Sequence, residues 1–476
     1  MSESVEDWLP GAARPVGRDV TAELLARYDQ SGPRYTSYPT AVEFHDGVSG
    51  SDYSARLAAA DRLGEAPLSL YVHLPFCAER CLFCGCHVIV TQRREVAAPY
   101  LELLKREIDL VAARLPNRRR FAQLHLGGGT PTYYTPAQLT DLMGHLLTHY
   151  TPLPGAELAL EADPRVTTAA HIDALAELGF NRISFGVQDL TPAVQEAINR
   201  VQSLEQTAAL VAQARRRGFR GINIDLIYGL PLQTPETFEH TVDAVLSLRP
   251  DRAAVYSFAF VPWVRGHQKK LDEGQLPDAR TKVALFAIAR ERFLRAGYEP
   301  IGMDHFALPD DDLALAKHAG RLRRNFQGYA VIPGDDVLGF GISAIGDVRG
   351  AYVQNEKKLS MYEERIGRGE IPVTRGVARS ADDEVRRTVI HDLMCNFRVD
   401  IAEIERRHSI DFGTYFAEDL ALLATHERGG LVRIDAGRIE ATPTGELFVR
   451  NLAMCFDRYQ RERHAAETRP VFSRTV

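Results

Sequence analysis

At 476 residues the chain is longer than one ordinary hydrophobic core supports, so it divides into two domains with extensions. Hydrophobic residues at 45%, charged residues at 25% and a net charge of -6 describe a globular protein with no general attraction for nucleic acid or anionic lipid. No apolar run nears the ~18 residues that span a bilayer, and the acidic start at Met1 has no apolar signal segment, so the expected location is the cytoplasm.

Residues 1–66 read as an N-terminal arm. Its one ordered-looking piece is Pro33-Arg-Tyr35-Thr-Ser-Tyr38-Pro39-Thr40, where two prolines favour extended backbone and two tyrosines predict packing on the body. From Leu68 a strand-and-helix alternation begins. Strands are expected at 68–73, 123–126, 157–161, 182–185, 221–225 and 253–257. Helices are expected at about 97–114, 136–149, 168–179, 203–217, 236–248 and 279–296, the first carrying Tyr100, Leu101, Leu104, Ile108 and Val111 at helical spacing. Such alternation specifies a parallel sheet with helices outside. Further strand-like pieces lie at 301–306 and 336–345. After about 370 the pattern becomes helical, at about 381–395, 400–407, 412–424 and 443–460, around a hairpin that turns at Ala436-Gly437. The expected division is an arm (1–66), a partial barrel with its extension (67–365) and a mostly helical, winged-helix-like C-terminal domain (366–476).

The chemistry concentrates in Cys77-Ala-Glu-Arg-Cys81-Leu-Phe-Cys84-Gly-Cys86, which holds four of the six cysteines. Clustered thiols in such a chain point to metal or redox chemistry rather than a disulfide framework. A zinc site would need a fourth ligand, which Cys86 or His87 could supply. The C-x₃-C-x₂-C spacing of Cys77, Cys81 and Cys84 favours iron and sulfur, with one iron left open to an outside ligand. That spacing, just after a strand, resembles the radical S-adenosylmethionine (SAM) enzymes. Every other strand also ends in something distinctive: Gly127-Gly128-Gly129-Thr130-Pro131, Glu161-Ala-Asp-Pro164, Gly186-Val-Gln188-Asp189, Asp225, and Ala259 before Pro262. Six contributing strand ends fit the mouth of a barrel, whereas a doubly wound sheet concentrates its fingerprint after the first strand. The expected fold is therefore an α/β incomplete (β/α)6 barrel.

Taken singly, the other polar residues have ordinary readings. Glu161 and Asp225 suit loop carboxylates or acceptors for a nucleoside cofactor, and Gln188 and Arg200 could bond its polar groups. His73, His125 and His305 suit hydrogen-bonded core or rim residues, Cys395 and Cys455 inert core thiols, and Arg323-Arg324 a solvated face. Asp304-His305-Phe306 is a candidate substrate-side element.

In combination the motifs go further. The octet at 33–40, Cys77–Cys86, Gly127–Tyr133, Gly186–Asp189, Asn223–Pro231, Gly302–Phe306, Asn325–Tyr329 and Cys395–Arg398 together resemble the oxygen-independent coproporphyrinogen III oxidases, in order from about residue 33 to the end. The resemblance implies a partial barrel of the radical SAM type with a helical C-terminal domain, one 4Fe–4S cluster and two molecules of S-adenosyl-L-methionine. Carried over, Cys77, Cys81 and Cys84 hold the cluster; Tyr71, Gly128, Glu161 and Ile345 line the first cofactor site; Phe83, Gly129, Thr130, Gln188, Arg200, Asp225 and Ala259 line the second. Phe260 departs from the polar residue expected after Ala259, which bears on the second site. The implied reaction removes a β-hydrogen from each of two propionates of coproporphyrinogen III with a 5′-deoxyadenosyl radical. Carbon dioxide and one electron then leave, giving the vinyl groups of protoporphyrinogen IX. An electron donor and a final electron acceptor are required and unidentified; a monomer, with neither nucleic acid nor membrane as partner, is expected. The resemblance also makes the Tyr35–Tyr38 segment a candidate lid. The competing reading is a haem chaperone of the same superfamily, against which stand Cys86, the octet, Gln188 and Arg200.

Overall fold

The computed structural model describes Leu24 and residues 27–331, 336–465 and 472–474. Expectations for the rest of the arm lie outside the described residues. The six expected parallel strands are β1 (Leu68–Leu74), β2 (Arg120–Gly128), β3 (Thr151–Ala162), β4 (Arg182–Gln188), β5 (Gly221–Tyr228) and β6 (Arg252–Ser257). Helices follow five of them: α1 (Ala97–Ala112), α2 (Pro136–His149), α3 (Ala169–Glu177), α4 (Leu204–Arg216) and α5 (Pro235–Ser247). The sixth, α6 (Ala279–Arg295), comes after the long loop that leaves β6.

The helix starts are written locally. Thr135-Pro136 and Thr234-Pro235 each place a threonine at the N-cap, accepting from the third helical N–H, and a proline at the first helical position. There the missing proline N–H costs nothing and the threonine oxygen satisfies an otherwise orphaned donor. The apolar face of α1, with Tyr100, Leu101, Leu104, Ile108 and Val111 all buried, packs on a core shared with β1–β4. Each such side chain taken out of water contributes about 1.5–3 kcal/mol before ordering costs.

The sheet is larger than six strands. Further along the chain lie β7 (Glu299–Gly302), β8 (His305–Ala307), β9 (Asp336–Phe340), β10 (Ile345–Val348), β11 (Ala351–Asn355) and β12 (Val373–Ala378). The full order is β12-β11-β10-β9-β1-β2-β3-β4-β5-β6-β8-β7, open at both edges among the described residues. Strand β9 is parallel to β1, β10–β12 continue antiparallel, and the β7–β8 hairpin is antiparallel to β6. The stretch 336–345 is thus one strand, a turn through Gly341 (φ +94°) and Ser343 (φ +59°), and the start of a second. The sheet takes in Val373–Ala378, beyond the domain boundary expected at residue 365.

The arm contributes an unforeseen helix, Gly50–Asp61, started by a reciprocal Ser49–Asp52 capping box. The C-terminal region has helices Ala381–Asn396, Ile401–His408, Phe412–Tyr415, Ala417–Arg428, Pro443–Leu447 and Val449–Met454 beside a three-stranded antiparallel sheet. Two expected long helices are broken at Phe416 and Phe448, whose buried rings sit where the backbone leaves helical angles. Tyr28, Tyr35 and Tyr38 of the arm belong to this domain's core, whereas the arm's helix buries Tyr53, Leu57 and Ala60 in the core of the barrel.

Candidate active site

The strands deliver their C-terminal ends to a cavity of about 980 Å³. The cysteine loop forms one wall. Its neck is pinned where Phe76–Cys77 pairs in parallel with Ile89–Val90. Its far side is tied by Leu82 N–H to the Ile198 carbonyl (2.9 Å) and by the Asn199 amide to the Arg80 carbonyl (2.9 Å). Gln268, fully buried, donates to the carbonyls of Phe83 (3.3 Å) and Ala259 (3.1 Å) and so couples the loop to the segment after β6.

Each of the three expected thiols has a donor aimed at it. Thr130 Oγ1 lies 3.3 Å from Cys77 Sγ, and Cys86 N–H is 3.4 Å from Cys84 Sγ. The guanidinium groups of Arg165 and Arg200 both reach Cys81 Sγ at 3.4 Å. Burial pushes the Cys77 thiol up to about 12, while a bond from the Cys86 thiol draws Cys84 down to about 7. Three sulfurs with hydrogen-bond partners, all lining one cavity, fit an iron–sulfur cluster with three protein ligands. Cys86 is exposed.

Two arginines hold the next layer. Arg200 also bonds Asp163 (3.0 Å) and the Gly186 carbonyl (2.5 Å), and Arg165 bonds Asp163 at 2.7 Å. Burial works against the Asp163 carboxylate, but Arg200 and Arg165 hold it below the ordinary range. Arg165 and Asp163 were not singled out by sequence, although Asp163 lies in the strand-end tetrapeptide that was.

The glycine run fits close approach rather than a simple turn. A Cβ on Gly129 would stand 2.5 Å from the Pro75 backbone, and Gly128 has φ +111° with the His73 ring where its Cβ would point. Gly128 N–H donates to Glu161 (3.3 Å), and His125 Nε2 lies 3.4 Å from the same carboxylate. Burial raises Glu161, yet His125 and that N–H bring it below its usual value. Its side chain remains 46% exposed, toward the cavity it lines. On the opposite side, Asp225 accepts from Ser184 (2.8 Å) and Asn223 (2.8 Å), and burial lifts it to about 6. Gln188 sits at φ +70°, a left-handed conformation that costs a non-glycine residue ~1–3 kcal/mol and concentrates at functional sites.

The cavity therefore brings together Cys77, Cys81, Phe83, Cys84, Gly128, Gly129, Thr130, Glu161, Gln188, Arg200, Asp225 and Ala259. Tyr71 and Ile345 stand outside its lining. Tyr71 bonds His73 Nδ1 (3.0 Å) and stacks on His125, behind Glu161. Ile345 lines a small separate crevice with Thr36, Phe326 and Tyr352. Phe260 joins an apolar group with Leu82, Phe83 and Phe258, which anchors the cysteine loop.

The remaining wall comes from the chain ends. Gly32–Ser37 line the cavity, and so do Phe472 and Ser473. Ser31 and Arg474 form an antiparallel bridge, and Gly32 N–H donates to the Ser473 carbonyl (3.1 Å). Arg450 donates to the carbonyls of Pro33 (3.0 Å), Gly32 and Arg474 (3.1 Å), gripping both strands of this strap. Arg34 bonds Asp304 (2.6 Å), which His305 and Arg34 hold below the carboxylate range despite burial. No sequence signal announced the C-terminal strand.

The histidines behave as the sequence suggested. His73 bonds the His87 carbonyl (2.9 Å) and His305 bonds Asp304 (2.7 Å). Cys395 and Cys455 are buried. Arg324 is a correction, being buried with its guanidinium over the Tyr329 ring (4.6 Å) rather than solvated.

Residues 71–245 match the family model of the radical SAM superfamily, and residues 380–448 match that of the HemN C-terminal domain. The oxygen-independent coproporphyrinogen III oxidase of Pseudomonas aeruginosa is 45% identical over 440 residues, 92% of this chain and 95% of that protein. The Escherichia coli protein of the same name is 44% identical over 453 residues, 95% and 98% of the two chains. A solved structure described as coproporphyrinogen III oxidase (HemN) from Escherichia coli, a radical SAM enzyme, superimposes with a TM-score of 0.86 at 43% identity, covering 91% of this chain and 98% of that one.

Proposed function

Because the chain belongs to the oxygen-independent coproporphyrinogen III oxidase family of radical SAM enzymes, we propose that it oxidatively decarboxylates two propionate side chains of coproporphyrinogen III to vinyl groups in haem biosynthesis. The observation that carries this reading is the set of three donor-supplied thiols opening on one cavity lined by the ends of the parallel strands. When bound, a 4Fe–4S cluster and S-adenosyl-L-methionine supply the one-electron chemistry that takes a hydrogen atom from the propionate β-carbon.

The residues divide that work. Cys77, Cys81 and Cys84 hold the cluster, with Arg165 and Arg200 tuning Cys81 through their N–H donors. Glu161 and the Gly128 backbone receive the ammonium and carboxylate of one S-adenosyl-L-methionine; Tyr71 and Ile345 support that side from behind. Phe83, Gly129, Thr130, Gln188, Arg200, Asp225 and Ala259 suit a second molecule, so two are proposed. Five arginines line the cavity: Arg34, Arg165 and Arg200 are already ion-paired, whereas Arg80 and Arg265 have no carboxylate partner among the described residues. Those two are proposed to meet substrate propionates. The strap from both chain ends excludes water during the radical steps. A cytoplasmic monomer served by a separate electron donor and acceptor completes the proposal; no helix among the described residues is long and apolar enough to cross a membrane.

The test is anaerobic incubation of cluster-reconstituted protein with dithionite, S-adenosyl-L-methionine and coproporphyrinogen III, following carbon dioxide and 5′-deoxyadenosine. Both are expected. Tight haem binding with no carbon dioxide would replace the oxidase reading with the chaperone.

A further inference from the structure

On the outer surface, far from the cavity, three ligating side chains meet at one point. His145 and His149 stand one turn apart in the last turns of α2, on the same face. Both direct Nε2 at a single oxygen, Oδ1 of Asp109 on α1, at 2.8 and 2.7 Å. The three ligand atoms all lie within 4.8 Å of one another. Because α1 and α2 run antiparallel to the strands, their C-terminal ends lie at the opposite end of the barrel from the cysteine loop.

We propose that Asp109, His145 and His149 form a divalent transition-metal site, of the kind that takes zinc, stapling α1 to α2. Two imidazoles and a carboxylate are a zinc-type donor set, with waters completing the coordination. Donor atoms around tetrahedral zinc stand roughly 3.3 Å apart, so the present spacing needs only a small side-chain opening. A purely hydrogen-bonded clamp explains the arrangement less well. Two imidazole N–H groups crowd one oxygen, while Oδ2 of Asp109 has no bond among the described residues. Two helix C-termini converge here, and their carbonyl ends add negative potential that favours a cation. Both imidazoles are only 27% exposed, so their orientations are already restricted. Metal at Nε2 requires each imidazole neutral with its single ring proton on Nδ1, so protonation of the rings competes with metal and affinity should fall as pH drops.

The test uses cluster-loaded protein, anaerobic, titrated with Co²⁺, comparing wild type with H145A/H149A. Wild type should bind one equivalent more than the double variant, with visible ligand-field bands and no near-ultraviolet sulfur-to-cobalt band. That last absence separates this site from cobalt entering the cysteine loop. Zinc should raise the melting temperature of wild type only. Asp109→Asn, which keeps the side-chain shape, should weaken cobalt binding at least tenfold and leave 5′-deoxyadenosine formation unchanged. Equal cobalt uptake by wild type and H145A/H149A, unchanged affinity in Asp109→Asn, or extra metal carrying only the sulfur signature would overturn the proposal.

Discussion

The cysteine loop and the terminal strap face each other across one cavity, and they are built in opposite ways. The loop is local: Cys77 to Cys86 bring every thiol of the site within ten positions, and a short strand pair closes the neck. The strap is non-local, since Ser31 donates to the Phe472 carbonyl across 441 positions. Ligands for a cluster need fixed mutual spacing, which a short loop supplies before the fold is complete. Closure needs the finished molecule, because both strap strands hang on Arg450 of the C-terminal domain. Loss of the loop should therefore remove the chemistry, and loss of the strap should leave the chemistry running but unprotected.

The largest effect tests the first half. Replacing Cys77, Cys81 and Cys84 together with alanine should bring iron content, acid-labile sulfide and 5′-deoxyadenosine to background. Iron retained at wild-type stoichiometry would mean that the ligands lie elsewhere. Next comes Arg200→Leu. It removes a donor to Cys81 and a partner of Asp163, leaving Arg165 to hold both. Outer-shell partners of metal ligands are typically worth 10–100-fold, so turnover should fall by about that factor with iron still bound. A change in KM alone would assign Arg200 to cofactor binding rather than to positioning the cluster.

The same contrast explains what could be read from the chain beforehand. The β1–β6 and α1–α6 units were legible because each buries an apolar strand under an amphipathic helix, and both leave periodic patterns in one short window. Strand β3 was expected from Glu157 yet begins at Thr151, because Thr151-Pro-Leu-Pro-Gly-Ala carries two prolines and a glycine; the ladder with β2 tolerates them through a register shift. The later additions β7–β12 run only three to six residues each; the pieces at 301–306 and 336–345 read as strand-like, whereas β11 and β12 are too short for periodicity to mark. Twelve of the fourteen expected site residues line the cavity because they end strands or lie on loops that begin at strand ends. Arg165, Gln268, Phe472 and Ser473 escaped notice since nothing local marks them, and only the folded chain brings them to the site.

A long-range tie away from the cavity gives an intermediate case. Glu107 on α1 accepts from Gly341 N–H (2.7 Å), Asn355 (2.6 Å) and Tyr362 (2.6 Å), binding the turn after β9 to the helix. Burial pushes its carboxyl up to about 7 although those three bonds pull the other way. The folded value lies above the unfolded one, so Glu107 stabilises most below the ordinary carboxyl range of about 4.3, and that contribution is lost as pH rises through about 7. The loss is on the order of 3 kcal/mol. Urea melts between pH 4.5 and 8 should show stability falling with pH in wild type. Glu107→Gln should lower stability at acid pH, where one acceptor is missing, and flatten the slope. An unchanged slope would place the titration elsewhere.

Arg450→Met tests the strap with a smaller effect. The barrel and thiols are untouched, so cluster loading should stay at wild-type levels. The ratio of 5′-deoxyadenosine to carbon dioxide should rise a few-fold, because water and solutes reach the cavity during turnover. An unchanged ratio would mean that Gly32–Ser37 and Phe472–Ser473 stay seated without Arg450, or that the strap has no protective role.

The smallest effect lies inside the loop and decides how the loop should be understood. Cys86 is exposed, and its backbone N–H already serves Cys84 at 3.4 Å, a contact that serine keeps. Its thiol also bonds Cys84, drawing that group down to about 7, and a serine hydroxyl can make the same bond. Cys86→Ser should therefore leave iron content unchanged and alter turnover less than twofold. A tenfold loss of iron would make Cys86 a fourth ligand and close the position where an outside group must enter. The loop would then be a sealed, structural metal site, and the contrast with the strap would lose its chemical half. Three ligands and one bystander thiol would keep a local loop reactive, and this substitution separates the two arrangements by iron count alone.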